Sequence, residues 1–256
     1  MNVAKIQHRA IILSAGQGSR LLPATRDLPK CLLDLGGLPM LGWQLQGLCA
    51  AGVGEVVIVT GFRSDLVEAA LPGITPAGMR VRTLFNPFYK VADNLASCWM
   101  VRQELVGPTL ILNGDTLFEP AIAERLLDAT DAAITVTVDR KGTYDDDDMK
   151  VIARGEQLTA IGKKLPVADV TGESIGFLRF SAGGAAAFVA EIERTMRTPE
   201  GVTLWYLSAI NRLAAAGLDV KVASIEGLQW GELDFPADLV ECRGIAGRLL
   251  DRQGSR

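Results

Sequence analysis

Histidine is nearly absent: His8 is the only one in 256 residues, and it precedes the first apolar run. A mechanism built on imidazole therefore has nothing to stand on. The four cysteines, Cys31, Cys49, Cys98 and Cys242, are scattered. No two have zinc-ligand spacing, and all lie in or beside apolar runs, which predicts reduced core residues in a cytoplasmic protein. No stretch approaches the ~20 apolar residues needed to cross a bilayer, and the apolar segment near the N-terminus is too short for the core of a signal peptide. A soluble chain without membrane insertion is expected. Excess basic charge is lacking too. The 26 Lys and Arg against 30 Asp and Glu leave a net charge of −4, which argues against a nucleic-acid partner. An acidic protein still binds a polyphosphate when a metal ion and a few local cations neutralise it. Repeats, low-complexity linkers and clear domain boundaries are missing as well, so one domain covering 1–256 is predicted.

What is present is a rhythm. Short β-branched runs such as "AIILS" (10–14), "EVVIVTG" (55–61), "RVRTLF" (80–85) and "TLILNGD" (109–115) read as strands. Between them, 40–52, 64–71, 93–105 and 120–129 carry helical periods with start or stop signals. This alternation predicts a parallel sheet covered by helices on both faces. From 132 to 180 four strand-like runs follow with few helical interludes, so the sheet is expected to become mixed. Helices at 182–197 and 203–216, strands at 219–227 and 229–235, and a final helix at 236–248 complete the pattern, with the tail "DRQGSR" frayed. The acidic run "DDDD" (145–148) falls in a loop.

The segment "ILSAGQGSRLLPATRDLPKCLL" runs from a strand into a glycine loop. Gly16 and Gly18 remove side chains where backbone N–H groups must approach anionic oxygens. A dinucleotide loop would want a third glycine where Leu21 stands, and a P-loop would need Gly-Lys-Ser/Thr; neither is present. What remains is a loop followed by Arg20 and Lys30, a planar fork and a compact charge suited to a triphosphate whose terminal pair leaves as pyrophosphate. Acids stand far off in sequence. Asp115 ends a strand, and "WGELDFPADL" supplies Glu232, Asp234 and Asp238, of which Glu232 and Asp234 share a strand face. Magnesium takes oxygen ligands, commonly one or two carboxylates plus phosphate oxygens. Asp115 and Asp234 are the predicted metal pair.

The stretch "SAGQGSRLLPATRDLPKCLLDLGGLPML" resembles the signature of the nucleotidyltransferases that activate sugar 1-phosphates and related phosphates. That resemblance implies a three-layer α/β/α Rossmann-like fold with a mixed, mostly parallel sheet, and a magnesium-dependent exchange of pyrophosphate for a phosphorylated acceptor. It also implies a nucleotide-binding part at about 1–140 and an acceptor-binding part at about 141–248. Arg20 and Lys30 take the catalytic roles. Leu13, Ala15, Gly16, Gly18, Ser19 and Arg20, with Asn86, Asn94, Ala96 and Asp115, are expected at the nucleotide. Lys150, Lys163 (or its neighbour Lys164), Glu173 and Tyr206 are expected at the acceptor, and Asp115 and Asp234 match the magnesium aspartates.

Asn-Pro-x-Tyr at 86–89 and Asn-Leu-Ala-Ser-x-Trp at 94–99 are similar to bacterial phosphocholine cytidylyltransferases and their relatives, which use CTP. The expected activity is transfer of CMP to a small phosphorylated or phosphonylated alcohol. The alternative is a sugar-1-phosphate nucleotidyltransferase using UTP, dTTP or GTP. A choline acceptor would call for an aromatic cage, with Tyr89, Tyr144, Trp205, Tyr206 and Trp230 as candidates, but 145–149 offers no tryptophan. A non-catalytic regulator of the same fold would be marked by loss of Arg20, Lys30 or the acids, and all are retained. A homodimer is among the assemblies the sequence allows.

Overall fold

The computed structural model describes residues 8–254. In chain order it contains β1 (Arg9–Ser14), α1 (Met40–Ala50), β2 (Glu55–Thr60), α2 (Ser64–Ile74), β3 (Arg80–Phe85), α3 (Asn94–Met100), β4 (Thr109–Asn113) and β5 (Thr116–Phe118). These are followed by α4 (Pro120–Asp128), β6 (Ile134–Asp139), β7 (Lys150–Arg154), β8 (Gln157–Gly162), β9 (Gly172–Phe180) and α5 (Ala182–Thr195). The chain ends with α6 (Tyr206–Ala215), β10 (Val220–Ser224), β11 (Trp230–Glu232) and α7 (Pro236–Gly254).

Among the described residues nine strands form one sheet in the order β3-β2-β1-β4-β9-β6-β10-β8-β7, and β5 pairs with β11 in a separate ribbon. Strands β3, β2, β1 and β4 are mutually parallel, whereas β9 lies antiparallel between β4 and β6. The mixed, three-layer α/β architecture expected from the sequence is thus the one adopted. Strand alternation separates two cores. Ile11, Val57 and Ile111 face a layer with Leu95, Phe188 and Leu207 from α3, α5 and α6. Ala10, Ile12, Ile58 and Leu112 face Leu41, Leu45, Ile122 and Leu126 from α1 and α4. Burial on both faces is why the central strands are apolar throughout rather than alternating.

The structure moves several boundaries. The strand beginning at Thr109 stops at Asn113, so Gly114 and Asp115 form a tight connection to β5. A side chain at Gly114 would meet Ser14 Oγ at 2.3 Å and the Leu13 carbonyl at 2.6 Å, which is why glycine stands there. The helix expected over 93–105 ends at Met100 and gives way to a single 3-10 turn, Arg102–Glu104. The last helix does not stop at 248. It runs to Gly254 because Ile245, Ala246 and Leu249 pack with Leu21, Leu33, Trp43 and Leu233 in a third cluster, and only the final two residues of the tail lie outside the described ones. No helix among the described residues is long and apolar enough to cross a membrane.

Candidate active site

The glycine loop leaves the end of β1 and is tied to its own distal part. Thr25 Oγ1 donates to the Gly18 carbonyl at 2.7 Å, and Gln17 Nε2 donates to the Thr25 carbonyl at 3.1 Å. Gly18 adopts φ 78°, and a Cβ there would sit 2.9 Å from Cβ of Lys30. The left-handed turn and the close passage of the Lys30 stem both require glycine. Arg20, in the next turn, places Nη2 2.8 Å from Asp234 Oδ2 and Nη1 3.4 Å from Asp147 Oδ2, with its guanidinium 4.8 Å above the Phe235 ring. Lys30 reaches between two acids, 2.6 Å from Asp115 Oδ2 and 2.8 Å from Asp234 Oδ1.

The β5–β11 ribbon explains how acids more than a hundred residues apart meet. Glu232 pairs with Thr116, and the Leu233 N–H donates to the Asp115 carbonyl at 3.0 Å. Asp234 therefore falls beside Asp115. Asp238 does not join them; its Oδ2 accepts the N–H groups of Asp234 (2.8 Å) and Phe235 (2.7 Å), half of a capping box that fixes the entry to α7. Carboxylate oxygens of Asp115, Glu232 and Asp234 lie within 4.8 Å of one another.

Burial works against a charged Lys30, but Asp115 and then Asp234 more than offset it and raise its pKa. Burial likewise pushes Asp234 upward, and Lys30 and Arg20 overcome it so that its pKa is lowered. Glu232 is exposed at the cleft wall, where desolvation by the surrounding chain first, then the charges of Asp115 and Asp234, push it up to about 8. Three converging carboxylates suit a hard divalent cation. Asp115 Oδ1, buried and without a partner among the described residues, is an orphan that such a cation would satisfy. The residues present fit magnesium.

Two cavities meet here. The smaller, about 270 Å³, is lined by Leu13, Ala15, Gly16, Gly18 and Ser97 among others. The larger, about 710 Å³, is lined by Arg20, Lys163, Glu173, Trp205, Tyr206 and Glu232 among others. Lys30, Asn94, Asn113 and Asp115 belong to both. Asn94 Oδ1 accepts the Tyr206 N–H at 2.8 Å, so it ties the start of α3 to that of α6. The Tyr206 ring packs in the core at 0% exposure, and its hydroxyl is buried with no partner among the described residues. Lys163 Nζ lies 3.3 Å from Asp147 Oδ1 and 4.8 Å over the Trp205 ring, whereas Lys164 is exposed and lines neither cavity. Glu173 pairs with Lys141 at 2.8 Å; burial pushes it up to about 7, with Lys141 opposing and Asp148 assisting.

Four expected residues are placed elsewhere. Lys150 is 2% exposed, and its ammonium donates inward to the carbonyls of Asp145 and Lys163 (3.0 Å to the latter). It holds the acidic loop and lines neither cavity. Asn86 is 1% exposed and its amide is spent on Ser97 Oγ (3.1 Å) and the Phe88 N–H (2.9 Å), so it does not face the smaller cavity. Ala96 lines a different, apolar groove with Phe88, Val91 and Trp99. Ser19 is exposed at the start of its 3-10 turn and lines neither cavity. Conversely, Glu232 joins the acid cluster although only Asp115 and Asp234 were expected to hold the metal; its two-residue spacing from Asp234 was the available signal. Ser97 and Asn113 carried no comparable signal.

The Nucleotidyl transferase family model matches residues 9–162, and the chain belongs to that family of enzymes. It is 32% identical over 245 residues to CMP-5'-(3-aminopropyl)phosphonate synthase of Streptomyces rubellomurinus, covering 90% of this chain and 37% of that relative's length. It is 25% identical over 236 residues to choline-phosphate cytidylyltransferase of Streptococcus pneumoniae, covering 90% and 94%. Among solved structures, the inositol-1-phosphate CTP transferase of T. maritima superposes with a TM-score of 0.79 at 21% identity, over 94% of this chain and 95% of that one, which shows a shared fold.

Proposed function

We propose that this enzyme transfers CMP from CTP to a small phosphorylated or phosphonylated acceptor and releases pyrophosphate, with magnesium held by Asp115 and Asp234 and supported by Glu232. The observation that carries the reading is the Lys30 ammonium bridging Asp115 and Asp234 where the two cavities join. The names of the two curated relatives, both cytidylyl enzymes, support CTP over the alternative of a sugar 1-phosphate with UTP, dTTP or GTP. Residues up to about 140 form the nucleotide part in this reading, and 141–248 the acceptor part.

The chain's own groups act by placement and charge, as phosphoryl-type transfer requires. The glycine loop presents backbone donors to the triphosphate. Arg20 and Lys30 exchange carboxylate partners for phosphate oxygens, Arg20 on the departing pyrophosphate and Lys30 near the α-phosphate. Lys163, beside the larger cavity, grips the acceptor's phosphate or phosphonate. No covalent nucleophile is needed, since an acceptor oxygen attacks phosphorus directly. When bound, magnesium supplies neutralisation of phosphate charge in this place. The larger cavity also carries Asp139 and Asp145, which favour an acceptor with a cationic group at its far end, beside Asp148 and Glu173, which Lys141 on the same wall already pairs. Turnover with CTP, UTP, GTP, ATP and dTTP tests the base. Phosphocholine, phosphoethanolamine, aminoalkylphosphonates, glycerol phosphate and inositol phosphate test the acceptor. A preference for UTP, dTTP or GTP with a hexose 1-phosphate would replace the proposal with the alternative.

A further inference from the structure

Ser97 lines the smaller cavity from α3 and is 4% exposed. Its Oγ accepts a hydrogen bond from Asn86 Nδ2 at 3.1 Å. The Asn86 amide cannot turn around, because its Oδ1 is claimed by the Phe88 backbone N–H at 2.9 Å. None of the hydrogen bonds among the described residues takes the Ser97 hydroxyl proton. A serine hydroxyl normally donates or accepts as its surroundings ask. Here one lone pair is occupied and the proton is unspent, at the wall of a cavity.

We infer that Ser97, oriented by Asn86, donates to the nucleotide base and selects an unprotonated ring nitrogen. This rests on the cytidylyl reading above. Cytosine presents N3 as an acceptor, so the free proton is satisfied when the base enters. Uracil and thymine present N3–H. For Ser97 to accept that group, its own proton would be left buried without a partner, the more costly of the two outcomes. Asn86 touches no base in this scheme; it is a positioning residue, and its effect passes through the serine. The motif at 86–89 places Asn86 at the nucleotide, and in this scheme it acts there through Ser97.

The test is equilibrium binding of CTP and of UTP, each with Mg²⁺, by calorimetry, which requires no acceptor. Wild-type protein is expected to favour CTP, and Ser97→Ala to lose about tenfold in CTP affinity with little change for UTP. In Asn86→Asp the carboxylate takes the serine proton, presents its lone pair to the base, and shifts the CTP-to-UTP ratio toward UTP. A loss of stability alone would not move that ratio, and thermal midpoints establish that both variants are folded. If Asn86→Asp fails to fold, Ser97→Ala decides by itself. An unchanged CTP-to-UTP ratio in Ser97→Ala, or an equal loss for both nucleotides, overturns the inference while the cytidylyl reading stands. A wild-type protein without CTP preference overturns both.

Discussion

Lys30 places its ammonium 2.6 Å from Oδ2 of Asp115, and the same nitrogen reaches Asp234 at 2.8 Å. A residue expected to serve phosphates thus neutralises the acids expected to serve the metal. A divalent cation arriving alone must compete with this ammonium, whereas one arriving with a triphosphate meets a lysine that has somewhere else to go. Mn²⁺ binding followed by electron paramagnetic resonance, without nucleotide, should be weak in the wild type. In Lys30→Met it should strengthen by about tenfold, since unpaired carboxylates are left behind, while transfer activity is lost. Equal Mn²⁺ affinity in the two proteins would show that Lys30 does not guard the acids.

Gly18→Ala tests the loop. With φ at 78° and the new Cβ 2.9 Å from the Lys30 stem, alanine strains the turn and pushes Lys30 aside. The expected cost is about 1–2 kcal/mol of stability, read from denaturant unfolding, with a larger loss in kcat than the stability change explains.

Glu173 gives a pH dependence with a definite sign. Its carboxyl is pushed from 4.5 to about 7, so the folded protein holds a proton that the unfolded chain releases. The stability from this group is complete below about pH 4.5 and is lost as pH rises through about 7. The stability difference between wild type and Glu173→Gln should therefore shrink, in the wild type's disfavour, by up to about 3 kcal/mol between pH 4.5 and pH 8. Thermal midpoints of the two proteins across that range measure it, and parallel curves would contradict the assignment.

Lys150→Met should act through the fold. Its inward bonds to the carbonyls of Asp145 and Lys163 are lost, at about 1–3 kcal/mol, and the backbone under Lys163 loosens. The expected signature is a lower thermal midpoint with a raised acceptor KM and an unchanged KM for CTP. A raised acceptor KM with full stability would instead point to direct contact.

The sheet and its helical layers were legible because buried parallel strands have an apolar pattern that polar loops interrupt. The nucleotide loop was legible because Gly18, Arg20 and Lys30 sit close in sequence. Asp115 and Asp234 meet only through the β5–β11 ribbon, a pairing of three-residue strands with no periodicity to read; the motif, not the pattern, supplied that expectation. Asn86, Ala96 and Lys150 were placed at ligands from residue type and motif position, and their orientation followed from tertiary partners that sequence does not display. The helix past Arg248 was missed because among its polar residues Leu249 alone continues the apolar seam of Cys242, Ile245 and Ala246.

The central claim is that Asp115 and Asp234 together hold the cation on which CMP transfer depends. Pyrophosphate release from CTP, measured with Mg²⁺ and the acceptor that supports fastest turnover, tests it in wild type and in the Asp115→Ala, Asp234→Ala double variant. The account predicts release that vanishes on chelation in the wild type and is absent in the folded double variant. Release that survives removal of both carboxylates would contradict it.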